Sequence, residues 1–107
     1  MNPIQWQPII ILCYTKYRQT IGASFMKKLC KEDDESRRNK GFPASLTVRE
    51  IWKDNLGSYN QDEVAPLAID FFQNKKGYIK QRSDGRISLT ETGRQHCSDP
   101  DIDFMLP

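Results

Sequence analysis

The stretch Lys76–Arg94, KGYIKQRSDGRISLTETGR, constrains the fold more than any other part of the chain. An Asp-Gly pair between two short runs of alternating apolar and polar residues signals a β-hairpin. Two loop lengths are open, and they differ in what they bury. A two-residue Asp84-Gly85 loop pairs Ile79 with Thr90 and sends Ile79 to the face opposite Ile87 and Leu89. A three-residue Ser83-Asp84-Gly85 loop places Gly85 at a left-handed bulge, pairs Ile79 with Leu89 and Gln81 with Ile87, and gathers the apolar side chains on one face. The second register is therefore expected. It leaves Lys80, Arg82, Arg86 and Ser88 outside, with Arg82 opposite Arg86 as a mildly destabilising like-charge pair.

Upstream, the apolar spacing is helical. Ile10, Cys13, Tyr14, Tyr17 and Ile21 predict a helix over about 7–20, and Phe25, Met26, Leu29 and Cys30 continue it, with Gly22 marking a break between two helices. The run 31–40, followed by Gly41-Phe42-Pro43, reads as an exposed charged loop, in which Glu32-Asp33-Asp34-Glu35 is a solvated face. Ser45-Leu46 reads as a short strand. Thr47 and Glu50 then form a capping box for a helix carrying Val48, Ile51, Trp52 and Leu56, which Gly57 ends in the left-handed conformation. A second helix is built on Val64, Leu67, Ala68, Phe71 and Phe72, leaving Asp62, Glu63, Pro66, Asp70 and Gln73 outside. Pro66 leaves two readings of its start: Asp62 is the cap, or the helix kinks early. Lys75, Lys76 and Gly77 close it.

The order helix, short strand, helix, turn, helix, hairpin is that of a winged helix-turn-helix domain. Gly77-Tyr78-Ile79, Asp84-Gly85-Arg86 and Leu89-Thr90-Glu91-Thr92-Gly93-Arg94 resemble the wing region of bacterial PadR- and MarR-type transcription regulators, with its pattern G-[YFL]-[IL]…D-G-R…L-T-x-x-G-R. The resemblance runs from Ala44 to Cys97, about half of the 107 residues. It implies an α+β, mainly helical winged helix-turn-helix fold with a C-terminal β-hairpin wing. It also implies binding of double-stranded DNA, with the second helix of the pair in the major groove and the wing on the backbone or minor groove. PadR and MarR proteins usually continue into a long dimerising helix, whereas here SDPDIDFMLP follows Cys97. One domain is expected over 1–107: N-terminal helices 1–31, a charged loop 32–44, the helix-turn-helix and wing 45–97, and an acidic tail 98–107.

Charge is distributed unevenly. Met1–Lys31 holds five bases and no acid, Ser58–Asn74 three acids and no base, Lys75–Arg86 five bases and one acid, and Ser98–Pro107 three acids and no base. Such asymmetry bears on partners rather than on fold. Lys80, Arg82 and Arg86, with Lys75 and Lys76, are the expected DNA-binding residues. The acidic outer face of the second helix opposes phosphate, so the alternative is a winged-helix module for protein–protein interaction without sequence-specific DNA binding. The nearly all-round apolar Ile9–Tyr14 points to a homodimer through the N-terminal helices.

Other classes find little support. The chain has no Gly-rich phosphate loop, no GxSxG and no HExxH, so no enzymatic activity and no cofactor are expected. His96-Cys97 lacks the clustered thiolates of a metal site. Trp52 and Phe71-Phe72 read as core. Cys13, Cys30 and Cys97 are odd in number and widely spaced, which argues against a disulfide framework, for Cys13 and Cys30 as buried small hydrophobes, and for a reducing cytoplasm. The longest apolar run, Ile9–Tyr14, is too short to span a bilayer, and no basic segment precedes it as in a secretory signal.

Overall fold

Gly85 does adopt a left-handed φ of 88°, and the hairpin takes the three-residue loop. The computed structural model describes residues 3–57 and 59–98, with side chains from Ile21 onward except Asp54 and Asn55. Strand β1 (Ile79–Gln81) pairs antiparallel with β2 (Ile87–Leu89) in the register Ile79↔Leu89, Lys80↔Ser88, Gln81↔Ile87. The loop closes through the Gly85 amide on the Arg82 carbonyl (2.9 Å) and the Arg82 amide on the Arg86 carbonyl (2.8 Å). Ile79, Ile87 and Leu89 are all buried, as the apolar alternation requires. Because Gln81 and Ile87 form a non-hydrogen-bonded pair, the backbone groups of Ile87 turn the other way. They bond Leu46 at 2.9 and 2.7 Å, so the expected strand at Ser45-Leu46 is a single bridge.

The order of elements is α1 (Pro3–Lys40), α2 (Val48–Asn55), α3 (Gln61–Asp70), a π-helical turn Phe71–Lys75, β1, β2 and α4 (Glu91–Gln95). This is an α+β chain, mostly helical, with a two-stranded antiparallel hairpin among the described residues. Two expectations fail on α1. Gly22 does not break it, and residues 32–40, read as a charged loop, are its last turns. The acids and bases of this run sit four apart and pair along the helix: Lys28–Glu32 at 3.2 Å, Asp33–Arg37 at 2.8 Å and Asp34–Arg38 at 3.1 Å. Arg37, Arg38 and Lys40 also meet the negative end of the helix dipole. Gly41, at φ 80°, terminates α1, its amide reaching back to the Ser36 carbonyl at 3.2 Å.

The capping box forms as expected, Thr47 Oγ1 accepting from the Glu50 amide while Glu50 answers the Thr47 amide. Gly57, however, has no positive φ; α2 ends at Leu56 (φ −112°). The chain is turned there instead by the Tyr59 amide on the Leu56 carbonyl (3.0 Å) and by Trp52 Nε1 donating to the Tyr59 carbonyl (3.0 Å). Helix α3 is capped by Asn60, not Asp62. Its side-chain oxygen accepts from the Asp62 and Glu63 amides, and Pro66 lies inside the helix.

Helix α3 with its π-helical turn buries most of the expected stripe, Ala68 and Phe72 fully and Val64 and Phe71 against the core, but differs at two positions. Ala65 and Ala68 are buried, and Leu67, assigned to the stripe, is 68% exposed. The aromatic core decides this. Phe72 is fully buried, stacked on Phe25 (centroids 5.5 Å) and near Tyr78 (6.4 Å), while Trp52 meets the edge of Phe25 at 6.2 Å. With Phe72 anchored, the residues four and seven before it, Ala68 and Ala65, must face inward, and their small side chains let α3 sit close.

The Leu-Thr-x-x-Gly-Arg motif joins these parts. Thr90 caps α4 by accepting from the Gly93 amide (3.1 Å), donates to the Gly77 carbonyl (2.5 Å), and its amide bonds the Tyr78 carbonyl (2.9 Å). Gly93 lies against the Tyr78 backbone so closely that a Cβ there would stand 2.0 Å from the Tyr78 oxygen. Arg94 reaches Asp33 on α1, with Nε and Nη2 at 2.9 and 3.2 Å from the two carboxylate oxygens. Asp33 is the buried charged residue of the described core. One helical turn away, Cys30 and Cys97 form a disulfide with Cα atoms 5.8 Å apart. The odd, widely spaced cysteines were expected to form no disulfide, with Cys30 a free small hydrophobe; both expectations fail, because folding brings Cys97 to Cys30 from 67 residues away.

Candidate nucleic-acid interface

The hairpin tip carries the cations expected to meet phosphate, and the register puts Lys80 and Arg82 on its exposed side. Their surroundings differ. The Arg82 guanidinium pairs with the Asp84 carboxylate, its Nε 3.2 Å from Oδ1 and its Nη2 on Oδ2. Asp84 also accepts the Arg86 amide at 3.1 Å. The hydrogen bond from Arg82, then that amide, holds the Asp84 carboxyl down at about 2, and the same pair raises Arg82. The expected Arg82–Arg86 repulsion is thus relieved by an acid within the loop.

Arg86 is committed elsewhere. Its Nη1 donates to the Ser45 carbonyl at 2.8 Å, just before the Leu46 bridge, and lies 3.9 Å from Glu50 Oε1. Arg82 and Arg86 line a cleft of about 640 Å³ together with Glu32, Glu35, Glu50 and Phe42, so carboxylates share the space these arginines face. Lys80 and Lys75 are exposed and make no ion pair among the described residues; exposed Lys76 places Nζ 5.7 Å from the Phe71 ring centroid. Of the five expected contact residues, the three lysines are the exposed ones without a carboxylate partner among the described residues.

Helix α3 presents Asp62, Glu63, Pro66, Leu67 and Asp70 outward. Gln73, expected on that face, is half-buried: its Oε1 accepts the Gln81 amide at 2.6 Å and so satisfies the free edge of β1. Arg49 and Lys53 on α2 are exposed. Ile9–Tyr14, on which the dimer expectation rests, lies outside the residues whose side chains are described, as does the acidic tail from Asp99. Among the described residues no group of three or more His, Cys, Asp and Glu could hold a metal, and no helix is long and apolar enough to cross a membrane.

The sequence reading missed the Asp33–Arg94 contact. Burial pushes the Asp33 carboxyl up, but hydrogen bonds from Arg94 and Arg37 and their charge outweigh it and hold the carboxyl below its usual 3.8. The available signal was the arginine closing the Leu-Thr-x-x-Gly-Arg motif, which had a role without a partner. Comparison with protein-family models, with curated proteins and with solved structures finds no match to this chain.

Proposed function

We propose that the chain is a winged-helix DNA-binding protein acting as a transcription regulator in the cytoplasm, with the hairpin as its wing. The observation that carries this reading is the hairpin: its register turns Lys80 outward, on the strand that follows exposed Lys75 and Lys76, and places Arg82 at the tip. The order of α1, the Leu46 bridge, α2, α3 and the hairpin supports it. In this reading the lysines bind phosphate, Arg86 chiefly fixes the wing against Ser45, and a homodimer presents two such surfaces. Catalysis, metal and cofactor have no part in it.

The test is a salt titration of binding to random-sequence duplex DNA. Each phosphate contact contributes about 0.9 to the slope of log K against log salt. Replacing Lys75, Lys76 and Lys80 together by alanine should flatten the slope by roughly two to three units, equally on all sequences. An unchanged slope would end the reading.

A second reading rests on α3. Leu67 stands 68% exposed between Pro66 and the carboxylates Glu63 and Asp70, a surface suited to a basic protein partner rather than to phosphate. Neutralising Asp62, Glu63 and Asp70 separates the two: stronger non-specific DNA binding places α3 near DNA, and no change favours protein docking.

A further inference from the structure

Two links hold α4 to α1, and they stack one turn apart. Cys30 and Asp33 lie three residues apart on α1; Arg94 lies on α4 and Cys97 three residues further, in the turn that follows it. The ion pair is buried at Asp33, bidentate from Arg94, and backed by Arg37 and by Glu91, which is 3.0 Å from Arg94 Nη1. The disulfide is different: both cysteines are only partly buried, packed at the margin of the core. Cys97 Sγ also lies 3.6 Å from the Gly93 carbonyl, inside the turn that Thr90 caps. Nothing in this arrangement except the sulfur–sulfur bond itself depends on oxidation.

We infer that Cys30 and Cys97 are a reversible thiol–disulfide switch, held in register by the Arg94–Asp33 clamp when the bond is open. Oxidised, the switch fixes the chain at Cys97 to α1. Reduced, α4 stays docked through Arg94 and through the contact of His96 with Tyr78 (ring centroids 4.7 Å), and the covalent tie of Cys97 to α1 is lost. Closure uses a low-molecular-weight disulfide such as glutathione disulfide. One cysteine thiolate attacks it, forming a mixed disulfide and releasing one glutathione thiolate. The second cysteine thiolate then displaces the other glutathione, so two protein thiols are oxidised and one glutathione disulfide becomes two glutathiones. The second step is intramolecular, and its rate depends on how often the clamp holds both sulfurs together. Arg94 is a positioning residue for that step. A disulfide at the margin of the core is more open to thiol exchange than one sealed within it. The inference does not depend on DNA binding.

The experiment uses the full chain carrying Cys13→Ser, so that one cysteine pair remains. The protein is reduced with dithiothreitol without denaturant, desalted, exposed to glutathione disulfide, quenched with a maleimide at intervals, and its adducts counted by intact mass. The expected result is two maleimide adducts after reduction and none after reclosure, with far-UV circular dichroism unchanged throughout. With Arg94→Ala, reclosure should slow at least tenfold and the glutathione mixed disulfide should accumulate; Arg94→Lys, keeping the charge but not the bidentate fork, should fall between. If Arg94→Ala loses its helical signal, Arg94→Lys carries the same comparison. Reclosure of the folded Arg94 variants at the parent rate would overturn the clamp. A bond that resists reduction until the chain is unfolded, or thiols that end as stable glutathione adducts in the parent, would overturn the switch.

Discussion

Replacing Asp33 by asparagine tests whether the α1–α4 contact stabilises the fold. Asp33 is 1% exposed and its carboxylate accepts three hydrogen bonds, from Arg37 Nε (2.8 Å) and from Arg94 Nε and Nη2 (2.9 and 3.2 Å). Asparagine has nearly the same shape but keeps one acceptor, turns an NH₂ toward a guanidinium, and removes the charge. Breaking one partner of a buried pair costs about 3–5 kcal/mol. Arg94 is itself 22% exposed and retains Glu91, so the loss should fall at the low end, about 3 kcal/mol. With an unfolding entropy of about 2.1 cal/mol/K per residue, such a loss in a chain of 107 residues lowers Tm by about 13 °C. The assay is thermal unfolding followed by circular dichroism at neutral pH, in the oxidised and the reduced protein. The effect should appear in both forms. A drop below about 4 °C in each, under about 1 kcal/mol, would refute the assignment of Asp33–Arg94 as a stabilising contact. The pH dependence adds a sign. Asp33 is held below 3.8 in the folded chain, so its contribution is complete above that value and is lost as pH falls through the lower folded value. Asp84, held near 2, titrates in the same direction but is unchanged by the substitution. Acid unfolding should therefore begin at higher pH in the parent, relative to its neutral stability, than in Asp33→Asn.

Gly93→Ala should cost at least 3 kcal/mol by urea unfolding, since its Cβ meets the Tyr78 carbonyl, a backbone atom that cannot step aside; a cost under about 1 kcal/mol would show that α4 shifts freely. Leu67→Asn, on an exposed site, should change stability by no more than about 0.5 kcal/mol, whereas Ala68→Asn should cost several times as much, and the reverse order would restore the other face of α3 to the core. Reducing the disulfide removes a cross-link over 67 residues, worth about 4 kcal/mol on loop-closure entropy, and should lower the urea midpoint without changing far-UV circular dichroism.

What the sequence determined by itself is local. The hairpin register followed from the period of two, because one step of slippage would have turned Ile79 away from Ile87 and Leu89. The Thr47–Glu50 box followed from a spacing of three, and the closure of the π-helical turn at Gly77 (φ 70°) from glycine's tolerance of that conformation. The continuation of α1 through residues 32–40 was also legible, in acids and bases four apart, but composition alone disguises a paired helix as a loop. The tertiary structure decided the rest. That α3 buries Ala65 and leaves Leu67 out depended on where Phe72 found Phe25, because Leu67 completes the apolar stripe equally well on paper. Whether Arg82 and Arg86 are free depended on Asp84 and on the Ser45 carbonyl, the latter 41 residues away. Asp33 with Arg94, and Cys30 with Cys97, are 61 and 67 residues apart. No periodicity links positions so distant; only the docking of α4 through Thr90 and Gly93 onto Gly77 and Tyr78 brings them within bonding distance of α1.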